Sequence, residues 1–377
     1  MTSARRRWRT AGAAALPMIV CACSTFRDVP SYAEATGTDR CAQRALLTRP
    51  PHAATVVTDP IPVPIHEKAL KSLADVLDDG ETVWFTDADR EPLPFELVGV
   101  STDGAIEAWV GWPEFAKSEG SEIWVYVGDP GLAPEVEPMW SGYAGVWHFA
   151  DGTTPDAFGD SSGNGNHGSA PLGASLVDGV IGSAASLDGK QQHVVVADAD
   201  SIRTDDFTIS AWIRLRELAA NAEVVSKAAE DTEQLFRSFG LGVRSDGTVV
   251  GFGTPKDSME YSTFVNEAQD PLIEPDSWFH VTYARSRDDG VLLFVDGVQV
   301  HEQDFTQPLN FDGGSLYLGA QQTPGGLQDF FPGDLDEVFI EQRSRTPQWI
   351  ELSYAAQSEP SYEVGEFVVD ESTCTSE

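Results

Sequence analysis

The stretch that decides the fold is FTISAWIRLR, residues Phe207–Arg216. Its odd-numbered positions are all apolar, whereas the even-numbered positions carry Thr, Ser, Trp and Arg. Because successive side chains of a β-strand point to opposite faces, this alternation predicts a strand that buries one face. A second stretch, Val291–Glu302, predicts a hairpin with a type I′ turn at Asp296 and Gly297, where both residues need positive φ.

The composition agrees with a folded, turn-rich chain. Apolar residues make up 41% of the 377 residues and charged residues 22%, which is enough apolar material for a core. The 34 glycines and 23 prolines are typical of the many turns of an all-β protein. A formal net charge of -36 repels phosphate backbones and anionic lipid headgroups. We therefore expect no nucleic-acid partner, and membrane attachment only through an anchor.

The N-terminal segment predicts export. Four arginines within residues 5–9 precede the apolar run Ala11–Val20, which is shorter than the ~20 residues of a membrane span but fits a secretory signal. The following residues, VCAC, resemble the lipobox of bacterial lipoproteins. The resemblance implies a signal peptide over residues 1–22, a lipid on Cys23, and residence in the bacterial cell envelope, at the outer membrane or cell surface. The alternative is a plain signal peptide cleaved near Cys23.

The rest of the chain divides into two predicted domains. Residues 23–58 are polar and lack sustained periodicity, which predicts a flexible tether. Residues 59–141 contain short β-type runs between turns, as in a sandwich, and resemble a bacterial secreted domain of unknown function. That family implies a small β-sandwich and no chemistry. Residues 142–370 form the second domain, and residues 371–377 a C-terminal tail.

The second domain carries a series of ordered motifs. In their order and spacing they resemble a laminin-G-like jelly roll of the concanavalin A-like lectin/glucanase superfamily. The predicted fold class is therefore all-β, with a small β-sandwich followed by a concanavalin A-like jelly roll. The motifs are Ala144–Phe149, Asp160–Gly168, Ala185–Gly189, Phe207–Ile213, Trp278–Tyr283, Leu293–Gly297 and Phe331–Ile340.

No motif in the sequence predicts catalysis. The run Gly159–Gly163 matches G-x-S-x-G, but it lacks the strand and helix that build a nucleophile elbow. Glucanases of the resembled superfamily carry Glu-x-Asp-x-x-Glu, and this sequence contains no such triplet. A retaining hydrolase needs two such carboxylates. We therefore expect no catalytic residues and no enzyme activity, with a glycoside hydrolase as the least favoured function.

One loop of the second domain is rich in oxygen ligands. Asp160, Ser162, Asn164 and Asn166 alternate along it, and carboxylate and amide oxygens are the ligands that Ca²⁺ prefers. In the resembled superfamily an Asp that opens a late strand often holds Ca²⁺, and Asp336 matches it. The resemblance implies a structural Ca²⁺ held by Asp160, Asn166 and Asp336. The alternative is a cluster of Asx turns without a metal, since the same residue types form turns.

Cysteine usage predicts one disulfide. The chain has four cysteines, of which Cys21 would leave with the signal peptide and Cys23 would carry the lipid. The remaining pair, Cys41 and Cys374, belongs to an exported chain, where pairs of cysteines are more often bridged than free. Two free thiols in flexible ends are the alternative.

The leading functional hypothesis is a non-catalytic exported lipoprotein that binds glycan, or acts in adhesion, through its jelly roll. The alternative is a structural or protein-binding envelope component, so the predicted partner is a glycan or an envelope protein. Exposed tryptophans would stack on sugar rings, and Trp212, Trp109 and Trp112 are the candidates. Burial of these rings in a core or under a covering segment is the competing expectation.

Overall fold

Antiparallel strands form most of the described chain. The computed structural model describes residues 39–49, 57, 59–67, 82–100, 106–115, 120–150, 157–218, 220–230, 235–256, 264–268, 270–311, 313–358 and 362–376. The predicted signal peptide and Cys23 lie outside these ranges, as does much of the predicted tether. Among the described residues, no helix combines the length and the apolar character that a bilayer crossing needs.

The strands and the helix follow one another in this order. The N-terminal part contains β1 (Asp39–Arg40), β2 (Gln43–Arg49), β3 (Ile61–Glu67), β4 (Thr82–Asp87), β5 (Phe95–Val100), β6 (Ile106–Trp112) and β7 (Ser121–Gly128). The central part contains β8 (Tyr143–Trp147), β9 (Ala157–Phe158), β10 (Gly168–Ser169), β11 (Ser175–Asp178), β12 (Ser183–Ser186), β13 (Val194–Val196), β14 (Phe207–Leu215), β15 (Ala222–Glu230), β16 (Leu235–Val243), β17 (Val249–Gly253), β18 (Phe264–Glu267), β19 (Trp278–Ser286), β20 (Gly290–Val295), β21 (Val298–Gln303), β22 (Leu316–Leu318), β23 (Gln321–Thr323), β24 (Gly326–Gln328) and β25 (Gly333–Glu341). The C-terminal part contains α1 (Pro347–Ser358), β26 (Glu363–Val364), β27 (Val368–Val369) and β28 (Thr375–Ser376).

Two large sheets form the predicted jelly roll. The front sheet has the strand order β18-β17-β16-β15-β22-β13-β10-β9. The back sheet has the order β11-β12-β25-β14-β19-β20-β21, and β8 also pairs with β25. Strand β14 lies between β25 and β19, and all of its odd-numbered side chains lie in the core between the two sheets. The all-β class, the jelly roll and the alternation of Phe207–Leu215 are thereby confirmed.

The predicted hairpin is also present. Strands β20 and β21 pair up to Val295 and Val298, and the turn between them consists of Asp296 and Gly297. Their φ angles are 49° and 72°, as a type I′ turn requires.

The first sandwich is built from more of the chain than the sequence suggested. One sheet has the order β26-β2-β7-β4, with β27 also paired to β2, and the other has the order β3-β6-β5. Strand β2 lies inside the predicted tether of residues 23–58, yet it pairs with β7 from Gln43 to Arg49 and buries Ala45 and Leu47. Strands β26 and β27 come from the segment assigned to the jelly roll. The predicted boundaries therefore differ from the structure, because the two ends of the chain complete the first sandwich.

The two sandwiches share a packed interface. Ala284 and Phe294 lie on the outward face of the back sheet and belong to the same apolar core as the first sandwich. Trp349, Ile350 and Leu352 of α1 fill the space between them. The outer face of β14, β19 and β20 is therefore covered by α1 and the first sandwich.

The predicted bridge between Cys41 and Cys374 is formed, and it joins residues 333 positions apart. Strands β1 and β28 pair beside it, with Asp39 opposite Ser376. The backbone N–H of Ala42 donates to Thr373 Oγ1 at 2.8 Å. The residues predicted as a C-terminal tail are thus held against the start of the first sandwich.

Candidate ligand-binding face

The three tryptophans predicted to stack on a ligand are buried. Trp212 is 4% exposed, because α1 lies on the outward side of β14. Its indole N–H donates to Gln357 Oε1 at 2.9 Å, and its ring contacts Tyr354. Trp109 and Trp112 are 1% and 0% exposed, within the first sandwich and its interface with the jelly roll. The prediction that these rings bind sugar is therefore wrong, because a second layer covers each of them.

The loop around Asp160 uses its carboxylate to hold itself together. Asp160 Oδ1 accepts from the backbone N–H groups of Val146 and Ser162, at 3.0 and 2.9 Å. Its Oδ2 accepts from the Ser162 hydroxyl at 2.8 Å and from the Asn166 N–H at 2.8 Å. The Asn166 amide nitrogen donates to the carbonyl oxygen of Ala144 at 2.6 Å. These contacts are those of the Asx-turn alternative.

Asp336 belongs to a different loop. Its Oδ2 accepts from the N–H groups of Val180 and Ile181, at 2.7 and 3.1 Å. Strand β8 lies between β25 and the loop of Asp160, and Val146 pairs with Phe339, three residues from Asp336. The Asp160 and Asp336 carboxylates are thus bound by backbone N–H groups of two different loops.

Each predicted carboxylate ligand is thus held by its own loop, and a calcium ion shared by Asp160, Asn166 and Asp336 stays a prediction. Within the part of the chain that the structure describes, no group of three or more His, Cys, Asp and Glu residues is placed to hold a metal ion.

The front sheet presents a different aromatic residue. Tyr317 is the middle residue of β22, opposite Val195 of β13 and Ser226 of β15. Leu316 and Leu318 on either side of it are fully buried in the core. Because side chains alternate along a strand, Tyr317 points outward, and it is half-buried.

Two further rings lie beside Tyr317. The His193 ring lies 5.9 Å from Tyr317 and 6.2 Å from Phe330, measured between centroids. His193 is buried, and its Nδ1 lies 2.9 Å from the carbonyl oxygen of Gln191. Phe330, like Tyr317, is half-buried. A buried imidazole thus supports two partly exposed rings near the middle of the front sheet.

Hairpin β23–β24 frames these rings with polar groups. Tyr317 Oη donates to Gln322 Oε1 at 3.4 Å, and the Gln321 amide donates to the Asp329 carboxylate. The hairpin is closed by Thr323, whose hydroxyl donates to the carbonyl oxygen of Gly326 at 2.8 Å. We call the surface formed by Tyr317, His193, Phe330 and Gln322 the Tyr317 face.

A carboxylate lies on the neighbouring strands of the front sheet. Glu223 donates its backbone N–H to the carbonyl oxygen of Asp329 at 2.9 Å. A Cβ atom added at Gly240 would lie 2.6 Å from Glu223 Oε1, and one added at Gly242 would lie 3.2 Å from Oε2. Two glycines therefore make room for the Glu223 carboxylate on the outward side of β16.

The Tyr317 face was missed by sequence reasoning, although a signal existed. The run Leu316-Tyr317-Leu318 alternates as β14 does, which indicates an outward tyrosine. Three residues in sequence are too short a run to stand out without the neighbouring strands. His193 and Phe330 come from distant segments, so their association with Tyr317 requires the fold.

A second polar cluster lies between the sandwiches. His148 Nδ1 lies 2.5 Å from Glu337 Oε2, and His148 Nε2 lies 3.2 Å from Glu96 Oε2. Glu96 also accepts from the Ser161 hydroxyl at 2.6 Å and from the Trp140 indole N–H. Burial alone would lower the pKa of His148, but Glu337 and Glu96 raise it to about 10. The imidazole is therefore charged at neutral pH.

The cavity beside this cluster is small. It is lined by His148, Glu337, Glu107, Trp109 and Ile181, among others, and has a volume of ≈ 20 Å³. That volume holds about one water molecule. The cluster therefore connects the two sandwiches and cannot receive a sugar.

Comparisons with known proteins agree with the jelly roll. A family model described as the concanavalin A-like lectin/glucanases superfamily matches residues 188–351. No curated protein matches the sequence.

Solved structures resemble about half of the chain. The binding domain of Paraclostridial Mosquitocidal Protein 1 is 18% identical with a TM-score of 0.44, over 57% of this chain and 52% of that chain. The Botulinum Neurotoxin Type G receptor binding domain is 13% identical with a TM-score of 0.41, over 58% and 52%. Domain 4 of AbnA, a GH43 extracellular arabinanase from Geobacillus stearothermophilus in complex with arabinotriose, is 19% identical with a TM-score of 0.41, over 56% and 98%. This chain thus spans about half the length of the first two structures. Residues 188–351 are a concanavalin A-like jelly-roll domain of the laminin G type.

Proposed function

We propose that this protein is an exported, lipid-anchored envelope protein whose jelly roll binds glycan at the Tyr317 face, without catalysis. The observation that supports this most is the group of rings around Tyr317 on the front sheet. The first sandwich and α1 cover the outer face of β14, β19 and β20 in the back sheet, so this part of the sheet is closed to a ligand. The front sheet is the side of the jelly roll on which half-buried rings and polar side chains meet.

The chemistry of the Tyr317 face suits a sugar. A sugar ring has an apolar C–H face, which packs on aromatic rings, and hydroxyl edges, which need hydrogen-bond donors and acceptors. Tyr317 and Phe330 supply ring surface. Gln322 supplies an amide, which both donates and accepts, and Asp329 supplies a carboxylate, which accepts. The side chains around Tyr317 therefore offer both kinds of contact that a sugar makes, a ring for its C–H face and polar groups for its hydroxyls.

The alternative functions have weaker support. A protein-binding surface is expected to show a broad apolar patch. The large apolar residues that are exposed in the described part of the chain are Leu172, Val298, Val368 and Val369, of which only the last two are adjacent. A hydrolase needs an accessible carboxylate pair, and the two carboxylates that line the cavity beside His148, those of Glu107 and Glu337, border a volume of only ≈ 20 Å³.

Export and anchoring are proposed from the N-terminal sequence. The bridge between Cys41 and Cys374 supports export, because disulfides persist in oxidising compartments. A lipid on Cys23 would hold the protein at a membrane that its charge of -36 would otherwise repel.

A glycan array with the full-length protein tests the proposed function. We expect the wild type to bind at least one glycan, and Tyr317→Ala to bind it about tenfold more weakly because a stacking ring is lost. The matched control is Trp124→Ala, since Trp124 is a half-buried aromatic residue of the first sandwich. Binding by no glycan, or equal loss in both variants, would contradict the proposal.

A further inference from the structure

We propose that the Tyr317 face selects uncharged glycans and discriminates against acidic ones such as uronates and sialylated sugars. The inference rests on the proposed function and concerns the ligand of the same site. It follows from the acidic residues near the rings, which lie on the loop before His193, on the segment before Phe330 and on β15.

The first carboxylate is in the loop that leads to His193. Asp188 accepts from the backbone N–H groups of Lys190, Gln191 and Gln192, at 2.9, 3.0 and 2.9 Å. Partial burial would raise the pKa of Asp188, but these N–H groups outweigh it and lower the pKa. The loop therefore carries a fixed negative charge beside the ring that supports Tyr317 and Phe330.

The second and third carboxylates are on the opposite side of the rings. Asp329 directly precedes Phe330 and is held by the amide of Gln321. Its backbone carbonyl binds the N–H of Glu223 at 2.9 Å, so the two acidic residues are joined through the backbone. The Glu223 carboxylate lies over Gly240 and is almost fully buried. Carboxylates thus border the Tyr317 face from both sides.

The nearby cations are engaged by other groups. Lys227 of β15 is fully buried, and its Nζ lies 2.9 Å from Asp198 Oδ1 and 3.1 Å from the carbonyl oxygen of Ala228. Arg203 pairs with the same Asp198 carboxylate. Lys190 is exposed, but it lies close enough to Asp188 to lower that residue's pKa. An acidic glycan would therefore meet more negative than positive charge here.

Two effects would select neutral glycans, namely charge repulsion and hydrogen bonding. Sugar hydroxyls donate hydrogen bonds to carboxylates, whereas a uronate or sialate carboxylate only accepts and is repelled. The net charge of -36 adds a longer-range repulsion, which salt screens beyond about 8 Å at physiological ionic strength. Weak binding of acidic glycans should therefore improve as salt rises, while binding of neutral glycans should not change.

Calorimetric titration of the full-length protein tests this. The neutral probes are the hexasaccharides of cellulose, xylan and laminarin together with any neutral glycan that the array identifies, and the acidic probes are hexagalacturonate and sialyllactose. We expect a neutral glycan to bind at least about tenfold more tightly than either acidic probe at low salt, with a smaller difference at about 0.3 M NaCl.

Charge variants at the same site sharpen the test. Replacing two of the three bordering carboxylates, in Asp188→Asn with Asp329→Asn, should raise the ratio of acidic to neutral affinity severalfold. Glu302→Gln with Glu122→Gln is the matched control, because these exposed residues lie on β21 and β7, away from the front sheet, and the pair also loses two charges. An unchanged ratio in the double variant, or an equal change in the control, would overturn the inference.

The inference and the proposed function fail differently. If an acidic probe binds more tightly than every neutral one, and Tyr317→Ala abolishes that binding, the face binds glycan but the selection is wrong. If neither class binds the wild type on the array or in the titration, the proposed function itself is wrong.

Discussion

His148 Nδ1 lies 2.5 Å from a carboxylate oxygen of Glu337, and both side chains are buried where the jelly roll meets the first sandwich. Glu96 of the first sandwich contacts the other imidazole nitrogen at 3.2 Å. Trp109 stacks on the imidazole with ring centroids 5.6 Å apart. One charged histidine thus connects a carboxylate from each sandwich, in a place where water is largely excluded.

Replacing His148 should destabilise the protein in a pH-dependent manner. In the folded state its pKa is about 10, above the unfolded value of 6.5. The stabilisation by His148 is therefore fully present below about pH 6.5 and is lost as the pH rises through about 10. We expect His148→Phe to lower the free energy of unfolding by about 3–5 kcal/mol at pH 6, because Glu337 is left buried without its partner. Urea unfolding at pH 6, 8 and 10 should show the difference shrinking. A constant difference would contradict the assignment.

His280 should have the opposite pH dependence. It is buried on the outward side of β19, against the rings of Trp212 and Tyr354, and burial lowers its pKa to about 3. The folded state therefore keeps it neutral, while the unfolded chain binds a proton below about pH 6.5. The contribution of neutral His280 to the free energy of unfolding is present above pH 6.5. It is lost as the pH falls toward 3, by up to about 1.4 kcal/mol per pH unit.

The test for His280 compares how the stabilities of two proteins, the wild type and His280→Phe, depend on pH. The carboxylates of the chain also titrate in acid, so only the difference between wild type and His280→Phe isolates this residue. We expect the variant to lose less stability than the wild type between pH 7 and pH 4.5. Parallel loss in the two proteins would show that His280 is not held neutral by burial.

The disulfide should contribute strongly to stability. Closing a loop of 333 residues stabilises the folded state by about 6 kcal/mol on a chain-entropy estimate. We expect the double variant Cys41→Ser with Cys374→Ser to unfold at lower denaturant concentration, with the pairing of β1 and β28 lost first. Peptide mapping without reduction is the direct check, and an alkylatable Cys374 thiol in freshly exported protein would contradict the bridge.

Calcium binding through Asp160, Asn166 and Asp336 stays a prediction that the geometry disfavours. Asp160 already accepts four hydrogen bonds from its own loop and β8, and Asp336 binds the loop at Val180 and Ile181. We expect Asp160→Ala to destabilise the loop equally in excess Ca²⁺ and in EDTA. A melting temperature of the wild type that rises with Ca²⁺, and no longer does so in Asp336→Ala, would restore the predicted site.

Trp212 shows how far the sequence could predict the site. The alternation of Phe207–Leu215 correctly placed this ring on the side of β14 away from the jelly-roll core. Whether that side is exposed depends on α1, whose Gln357 is 145 residues away. Local periodicity carries no information on such a contact, so the strand was predictable and the accessibility of its indole was not.

The boundaries of the first sandwich could not be predicted from local periodicity either. The segment that contains β2 is polar and lacks sustained periodicity, which predicts a tether, yet the seven residues of β2 pair with β7 along their whole length. Strands β26 and β27 have two residues each, too few for any periodicity. The order of motifs was sufficient for the jelly roll, and long strands such as β14 and β19 also carry their own alternation.

The anchor is tested on the cell rather than on the structure, because Cys23 lies outside the described residues. If Cys23 carries the lipid, Cys23→Ser should move the exported protein from the membrane fraction to the soluble fraction, since stable anchoring needs acyl chains. A variant that stays with the membrane would show that another element holds it there.

The most direct test of glycan binding at the Tyr317 face is an affinity series at Tyr317 with the best glycan from the array. Tyr317→Phe keeps the ring and loses the hydroxyl that donates to Gln322, whereas Tyr317→Ala loses both. We predict that the Phe variant binds within about threefold of the wild type and that the Ala variant binds about tenfold more weakly. Equal affinity of all three proteins for that glycan would contradict the account.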